Sequence, residues 1–279
     1  MKRQRLLYVT GSSGFLGRHI VNGVPAERWE LIAQTSQALD LRNRESVLGV
    51  IGDWRPTVII HTAYRKNDRG SNVDATRHVA EAASLVGSRL IHVSTDALFA
   101  GKSDPYTERD TPTPVHEYGR EKAEAEQIVA SLCRNAVVVR TSLLIGGNQR
   151  SGRQRSGRQL SQQLSGHEIA VGDAIHGRSP ITFFTDEVRS PILVDQLAAA
   201  LTELAARPEI TGVLHLGGPD PISRADLALM IARRHGWDTS RLRFGTLAES
   251  GLSRPGHVVL DSSLAASHGL VVQGPSSWT

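Results

Sequence analysis

Apolar residues in the first half of the chain fall in short runs that are separated by amphipathic stretches. Runs such as "VIIH" and "AVVV" are rich in β-branched residues, which favour strands. The pattern predicts strands over residues 5–11, 29–35, 56–63, 88–96 and 135–144, with helices over 15–23, 43–53, 71–86 and 117–133 between them. Strands that alternate with helices form right-handed βαβ units. We therefore predict an α/β fold with a doubly wound parallel sheet of the Rossmann type.

The pattern changes after Gly147, where the pentapeptide RSGRQ occurs twice in tandem without an apolar residue. We expect a loop there, then a helix that begins with a capping box of Ser165 and Glu168 and ends at Gly177. Further elements are predicted over 181–187 (strand), 193–206 (helix), 212–218 (strand) and 223–235 (helix). We therefore predict a dinucleotide-binding domain over residues 1–147 and a small C-terminal substrate lobe over residues 148–279, with segments of the lobe returning to the first domain.

Composition narrows the class of protein. Hydrophobic residues make up 39% of the chain and charged residues 22%, as in a soluble globular protein, and no apolar run approaches the roughly 18 residues needed to span a membrane. The lone Cys133 cannot form an internal disulfide, which favours the cytoplasm. The net charge is +4, but acidic and basic residues are interspersed, so we expect a phosphate-rich small ligand and no nucleic acid.

The stretch "VTGSSGFLGRHI" follows the first predicted strand and opens a helix. Gly11, Gly14 and Gly17 are spaced as G-x-x-G-x-x-G, which lets the backbone turn tightly and approach a pyrophosphate at the helix N-terminus. In this strand-turn-helix context the motif predicts dinucleotide binding.

The end of the second predicted strand bears on the choice between NAD and NADP. A site selective for NAD places Asp or Glu there, about 20 residues after the glycines, to bind the adenosine ribose. This chain has Thr35 and Ser36 instead. We therefore expect NADPH as the cofactor, with NADH as the alternative, and a counter-charge for the 2′-phosphate from Arg18, or from Arg42 and Arg44.

Tyr118 and Lys122 lie four residues apart on a predicted helix and so share one face. A tyrosine acts as a general acid or base near neutrality only when its phenolate is stabilised, and a nearby ammonium group does this. Ser94, Thr95 and Asp96 end the fourth predicted strand, where side chains that contact a substrate carbonyl are expected. The sequence predicts an active site built from these two segments.

With these motifs the chain resembles the extended short-chain dehydrogenase/reductases, and most closely the dTDP-4-dehydrorhamnose reductase (sugar-nucleotide reductase) family. Matching segments include "RPTVIIHTA", "NVDATRHVAEAA", "RLIHVSTDALFAG", "TDEVRSPILVDQLA" and "RPGHVVLDSS". The resemblance implies a catalytic triad of Thr95, Tyr118 and Lys122. It also implies an NAD(P)H-dependent reductase of a keto group on a nucleotide-linked deoxysugar. The oligomeric state does not follow from the sequence, and a homodimer is the arrangement to test.

Together, the motifs and the resemblance define the predicted site residues. The substrate contacts are predicted at Ser94, Thr95, Asp96, Arg150 and Arg153. The cofactor contacts are predicted at Gly11, Ser13, Gly14, Phe15, Leu16, Gly17, Arg18, Asp40, Leu41, His61, Thr62, Ala63, Tyr118 and Lys122.

Alternative activities remain open within the same superfamily. Related 4,6-dehydratases carry Glu after the Thr-Asp pair, where this chain has Ala97, so dehydration is disfavoured. A nucleotide-sugar epimerase would use the same triad. The family also includes a cofactor-binding regulatory subunit of methionine adenosyltransferase, so a role without catalysis is a further alternative. No metal-binding motif is present, and no metal is expected.

Overall fold

A computed structural model describes residues 5–146 and 164–278. Within these ranges the strands are β1 (Arg5–Thr10), β2 (Trp29–Gln34), β3 (Val58–His61), β4 (Arg89–Thr95), β5 (Ala136–Thr141), β6 (Leu144–Ile145), β7 (Thr182–Phe184), β8 (Val188–Arg189), β9 (Ile192–Leu193), β10 (Gly212–Leu216), β11 (Ile222–Ser223) and β12 (Arg243–Gly245). The helices are α1 (Phe15–Gly23), α2 (Arg44–Trp54), α3 (Ala75–Val86), α4 (Glu117–Leu132), α5 (Gly166–Ile175), α6 (Val194–Ala205), α7 (Arg224–His235), α8 (Leu247–Ser250) and α9 (Ser263–Ser267).

The central sheet has six strands in the order β2-β1-β3-β4-β5-β10. All five pairings between neighbouring strands are parallel, which confirms the predicted doubly wound sheet. The strand order reverses between β1 and β3. A crevice therefore opens at the carboxyl ends of these two strands, where doubly wound folds bind their ligands.

Helices cover both faces of the sheet because alternate strand residues are apolar on each side. On one face, strand residues such as Leu7, Val9 and Ile60 share a buried cluster with α1 and α6. On the other face, Tyr8, Ile59 and others pack against α2, α3 and α4. Since β10 and α6 lie beyond residue 147, segments from both parts of the chain build this core. The division into two domains at residue 147 stays a prediction.

Short elements of the C-terminal part enclose a further buried cluster, which includes Ile145, Val171, Phe183 and Ile231. Its helix α5 begins as predicted, because the Ser165 side chain accepts from the Glu168 amide and the Glu168 carboxylate accepts from the Ser165 amide.

The Glu168 carboxylate, a buried group, also accepts from the backbone N–H of Gly146, at 3.1 Å. His235 of α7 contributes a further contact, with its Nε2 3.2 Å from the carboxylate. Burial raises the pKa of Glu168, but the hydrogen bonds from His235 and Ser165 outweigh it, so the net direction is downward. Glu168 therefore holds Gly146 and Ser165 together.

The structure corrects the predicted elements at several boundaries. Residues 71–74 were predicted as α-helix, but Gly70–Asp74 forms a π-helical turn before α3, in which the Asn72 side chain bonds the backbone of Arg65 and the carboxylate of Glu121. The predicted strand over 181–187 was too long, since β7 ends at Phe184 and β8 begins at Val188. The short β12, α8 and α9 were missed.

No helix within the described residues is long and apolar enough to cross a membrane. In the same ranges, no group of three or more His, Cys, Asp or Glu side chains is arranged to hold a metal ion.

Candidate active site

The glycine turn after β1 brings three segments into close contact. Gly11 has φ +68°, and a Cβ at this position would lie 2.8 Å from the backbone of Ala63, which follows β3. A Cβ on Gly17 would lie 2.1 Å from the Gly11 carbonyl oxygen. Larger side chains would therefore push α1 and the β3 loop away from the turn.

The N-terminus of α1 is open to an anion. Its N-cap, Gly14, has no capping side chain, and the first turn contains no acidic residue. The first amides of a helix lack partners within the helix, and its dipole favours negative charge there. Ser13 is exposed beside this turn, while Phe15 is half-buried and Leu16 is buried. The residues present therefore fit the pyrophosphate of a dinucleotide.

The three arginines predicted as counter-charges differ in their partners, since two of them are bound to carboxylates. Arg42 binds the carboxylate of Asp40, with its Nη2 2.8 Å from Oδ2, and these bonds lower the pKa of Asp40 to about 2. Arg44 binds Glu81 at 2.7 Å. Arg18, in the first turn of α1, is half-buried, and its side chain has no hydrogen bond or ion pair with another described residue. Of the three predicted counter-charges, Arg18 is the one left free for a phosphate.

The segment after β3 faces the glycine turn through its backbone. Thr62 donates its hydroxyl to the Thr10 carbonyl oxygen at 2.8 Å, while the His61 ring is 1% exposed and lies between Thr10 and Thr76. The His61 side chain is therefore part of the core, and contacts of the His61 backbone, Thr62 and Ala63 with a cofactor stay a prediction. Leu41, predicted nearby, accepts a hydrogen bond at its carbonyl from His78.

Tyr118 lies in the first turn of α4 and approaches the end of β4. Burial raises the pKa of Tyr118 above its ordinary value of 10.0, and the charges of Tyr64 and Asp96 act in the same direction. A hydrogen bond between the Tyr118 and Thr95 side chains acts in the opposite direction. The structure thus brings these two predicted residues together, with the phenol protonated at neutral pH.

Lys122 is buried one turn further along α4, and its ammonium group contacts β4. The Nζ atom donates to the Val93 carbonyl oxygen at 2.8 Å and lies 3.1 Å from the Nε2 of His92. Burial lowers the pKa of Lys122 from 10.5 to about 8, while the nearby Glu126 carboxylate acts in the opposite direction. The predicted effect of Lys122 on the pKa of Tyr118 stays a prediction.

The other residues of the S-T-D segment are buried. Asp96 accepts from the Ser142 hydroxyl at 2.5 Å and lies 3.9 Å from the Nε of Arg189. Burial raises the pKa of Asp96, although the charge of Arg189 and the hydrogen bonds from Ser142 and Thr95 act against it. The Ser94 hydroxyl is buried and has no partner within the described residues.

Sequence reasoning missed a cluster of charges that adjoins Asp96. Glu187 is buried and lies 3.3 Å from Arg189 and 2.9 Å from Arg254. Arg224 contacts the Nδ1 of His167 at 3.1 Å instead of a carboxylate. Positive charge therefore exceeds negative charge in this cluster. Arg189 and Arg254 stood in the segments that carried the resemblance, but no motif gave their charges a role.

Two aromatic residues beside Tyr118, His116 and Tyr64, were given no role by the sequence analysis. His116 is the N-cap of α4, and its Nδ1 accepts from the Gly119 amide at 3.0 Å. Because it precedes the helix, its ring comes within 6.3 Å of the Tyr118 ring. The contact depends on the extended backbone of His116, since residues two apart inside a helix do not face each other. Tyr64 lies at a similar distance, 6.2 Å between ring centroids.

Two predicted substrate contacts, Arg150 and Arg153, lie outside the described residues, as does the tandem RSGRQ repeat.

Comparison with known proteins gives a family and several relatives. A family model described as the RmlD substrate binding domain matches residues 4–278. Methionine adenosyltransferase 2 subunit beta of Bos taurus is 27% identical, over 97% of this chain and 84% of the relative. A dTDP-4-dehydrorhamnose reductase of Aggregatibacter actinomycetemcomitans is 28% identical, over 81% of this chain and 77% of the relative.

A solved structure shares the fold over nearly its whole length. It is a dTDP-4-dehydrorhamnose reductase of Bacillus anthracis in complex with NADP, with a TM-score of 0.84 and 23% identity. The match covers 99% of this chain and 97% of the other.

Proposed function

Because the chain belongs to the RmlD substrate binding domain family, we propose that it is an NADPH-dependent reductase of a keto group on a nucleotide-linked deoxysugar. The observation that carries the proposal is the close approach of the first turn of α4, which contains Tyr118, to the turn after β4 at the carboxyl edge of the sheet. A Cβ on Gly119 would lie 2.3 Å from the Ala97 carbonyl oxygen in that turn. The open N-terminus of α1 lies at the same edge and fits the cofactor pyrophosphate. NADH is the alternative cofactor.

The three side chains of the triad have separate tasks in this proposal. NADPH, when bound, would supply the hydride for the substrate carbonyl carbon. Tyr118 holds a proton at its hydroxyl, because burial raises its pKa, and donates that proton to the carbonyl oxygen. Thr95, at the end of β4, orients the same oxygen. Lys122 supplies a positive charge and binds the cofactor ribose hydroxyls.

The charge cluster next to Asp96 supports an anionic substrate. A nucleotide sugar contains a diphosphate, and arginine guanidinium groups bind phosphate oxygens in pairs. Arg224 and Arg254 lie close enough to His167 to lower its pKa after the larger effect of burial. We propose that these two arginines bind the diphosphate. Contacts from Arg150 and Arg153 also stay a prediction.

The decisive experiment is NADPH oxidation by the purified protein against a panel of nucleotide-linked 4-keto sugars, with dTDP-4-dehydrorhamnose among them. The matched control is Tyr118→Phe, which removes the proton donor but keeps the ring. We expect turnover by the parent protein, and a loss of orders of magnitude in the variant with NADPH binding unchanged. Near-normal turnover by Tyr118→Phe would contradict the assignment of the triad.

A second candidate function is a regulatory subunit without turnover. It is favoured by the similarity to methionine adenosyltransferase 2 subunit beta over 97% of this chain. Under this alternative the protein would bind NADPH and a catalytic partner, but would oxidise NADPH with no sugar of the panel. Activity of the protein alone decides between the two functions.

We make three further proposals about the protein. We propose a cytoplasmic location, since Cys133 is buried and its thiol donates to the Ala80 carbonyl oxygen. We also propose a homodimer and a substrate lobe over residues 148–279. Size-exclusion chromatography with light scattering would test the homodimer.

A further inference from the structure

His92 contacts the predicted catalytic lysine, and although it belongs to the segment "RLIHVSTDALFAG", it has been given no role so far. It sits on β4, three residues before Thr95, and is 1% exposed. Its Nε2 lies 3.1 Å from the Nζ of Lys122, while its Nδ1 is buried without a partner among the described residues. A buried histidine that touches a buried lysine needs a specific proton arrangement.

The contact fixes that arrangement when Lys122 carries its charge. An ammonium group has three donors and no acceptor. One donor is bound by the Val93 carbonyl oxygen at 2.8 Å, so the His92 Nε2 must accept another. His92 is then neutral and carries its proton on Nδ1. Two of the three ammonium donors are then used, which leaves one for a further acceptor.

The surroundings of His92 favour the neutral form. Burial lowers its pKa well below the ordinary value, and the charges of Lys122 and His61 act in the same direction. The His61 ring, on β3, stacks 5.4 Å from the His92 ring. Glu126, the acidic residue of α4 that influences Lys122, is already bound to Arg140 of β5 at 2.8 Å. On α3, Thr76 bonds the far nitrogen of His61.

We propose that His92 is a positioning residue, whose neutral imidazole accepts a hydrogen bond from Lys122 and holds the charged ammonium group toward the cofactor ribose. The proposal rests on the proposed function, since it gives Lys122 a cofactor to bind. A histidine with a merely structural role would fill the core without affecting the charge of Lys122.

Amide replacements separate these two roles. The side-chain amide of Gln reaches about as far as the imidazole Nε2, so His92→Gln keeps an acceptor next to Lys122. The shorter Asn places its amide near the Nδ1 position, so His92→Asn stays polar but loses the acceptor. Lys122→Met identifies which pH effects belong to the lysine.

The experiment measures the dissociation constants of NADPH and NADH by tryptophan fluorescence from about pH 6 to about pH 10, a range that spans the titration of a perturbed lysine. NADH controls for ionisation of the 2′-phosphate. We expect parent affinity to fall as the pH rises through about 8, where Lys122 loses its charge. This fall in cofactor affinity with pH should be absent in Lys122→Met, and in His92→Gln it should occur at the same pH as in the parent.

In His92→Asn the fall in cofactor affinity should move to lower pH. The charged form of Lys122 has lost an acceptor there, so its pKa is lower. We expect a shift of about one pH unit, the size expected for one hydrogen bond to a charged group. If the Asn and Gln variants both titrate like the parent, or if the parent shows no fall that depends on Lys122, His92 is a core residue and the proposal is wrong.

A second measurement is made on the parent protein. A variant at position 92 is needed only to assign the signals of His92. Long-range proton-nitrogen NMR of the parent should show His92 as the neutral Nδ1–H tautomer near neutral pH, with its signals assigned by their loss in His92→Gln. An Nε2–H tautomer would overturn the proposal even if His92→Asn fails to fold. Failure of the proposed function is distinguishable, because it appears as absent NADPH binding or absent sugar reduction, whichever tautomer His92 adopts.

Discussion

At the scale of single residues, the site combines groups whose ionisation is changed by burial. Tyr118 is kept protonated, Lys122 is brought closer to neutrality, and Asp96 is shifted toward its protonated form. Such shifts concentrate at functional sites, where a proton must be held or released near neutral pH.

We expect Asp96→Asn to increase stability at neutral pH. The pKa of Asp96 in the folded protein is raised above 3.8, so its contribution to stability is greatest below that pH and is lost as the pH rises through the folded value. The amide keeps an acceptor for Ser142 but removes the buried charge. The melting temperature of the variant should exceed that of the parent at pH 7, with the difference vanishing in acid. A lower melting temperature at pH 7 would show that the contact with Arg189 outweighs burial.

Arg18 gives a prediction about cofactor choice. Arg18→Gln should weaken NADPH binding about tenfold, or about 1.4 kcal/mol, and leave NADH binding unchanged, because a phosphate contact to arginine is of this size. Arg44→Gln is the matched control, since Arg44 is bound to Glu81. Competition titration measures both constants. Equal losses for NADPH and NADH would place Arg18 away from the 2′-phosphate.

At the scale of elements, the active site depends on how closely α4 approaches the turn after β4. A Cβ at Gly119 would lie 2.3 Å from the Ala97 carbonyl oxygen and 2.8 Å from Pro114. No side chain fits there without moving the helix. The glycine that follows Tyr118 therefore sets the distance between Tyr118 and the segment that contains Thr95.

Gly119→Ala should consequently lower kcat by about tenfold to about a hundredfold, since a misplacement of 1 Å can cost about that much. Gly49→Ala is the matched control, because Gly49 is an exposed position of α2 and a Cβ there meets nothing within 4 Å. That control should gain about 0.5–1 kcal/mol of stability. Steady-state kinetics and thermal melts on both variants check the prediction, which fails if Gly119→Ala keeps the parental kcat.

Sequence reasoning succeeded at this scale where the signal was local. The Gly11 turn, the capping box of Ser165 and the shared face of Tyr118 and Lys122 each depend on residues a few positions apart. The π-helical turn at Asn72 was missed because its side chain bonds Arg65 and Glu121, and Glu121 lies 49 positions away. The charge cluster of Glu187, Arg224 and Arg254 was missed for the same reason, since its members meet only after the chain folds.

At the scale of the whole molecule, the proposed cofactor site draws on β1, β3, β4 and α4, which pack through a shared core. A ligand bound there stabilises the folded state by mass action. NADPH at about a hundred times its dissociation constant should add about 2.7 kcal/mol, or about 5–10 °C in melting temperature for a protein of this size. Differential scanning fluorimetry with NADPH and NADH measures the shifts. No shift at saturating NADPH would contradict a dinucleotide site.

The bond from Glu168 to both Gly146 and Ser165 has a consequence for the gene. One carboxylate binds both Gly146 and Ser165, which flank residues 147–163. The positions of these two residues therefore do not depend on the number of codons between them. Lengthening a segment whose ends are held together adds little entropy cost. The tandem RSGRQ pentapeptides are what an in-frame duplication in that interval would leave behind. We therefore expect a change in the number of codons between Gly146 and Ser165 to leave the two hydrogen bonds to Glu168 in place.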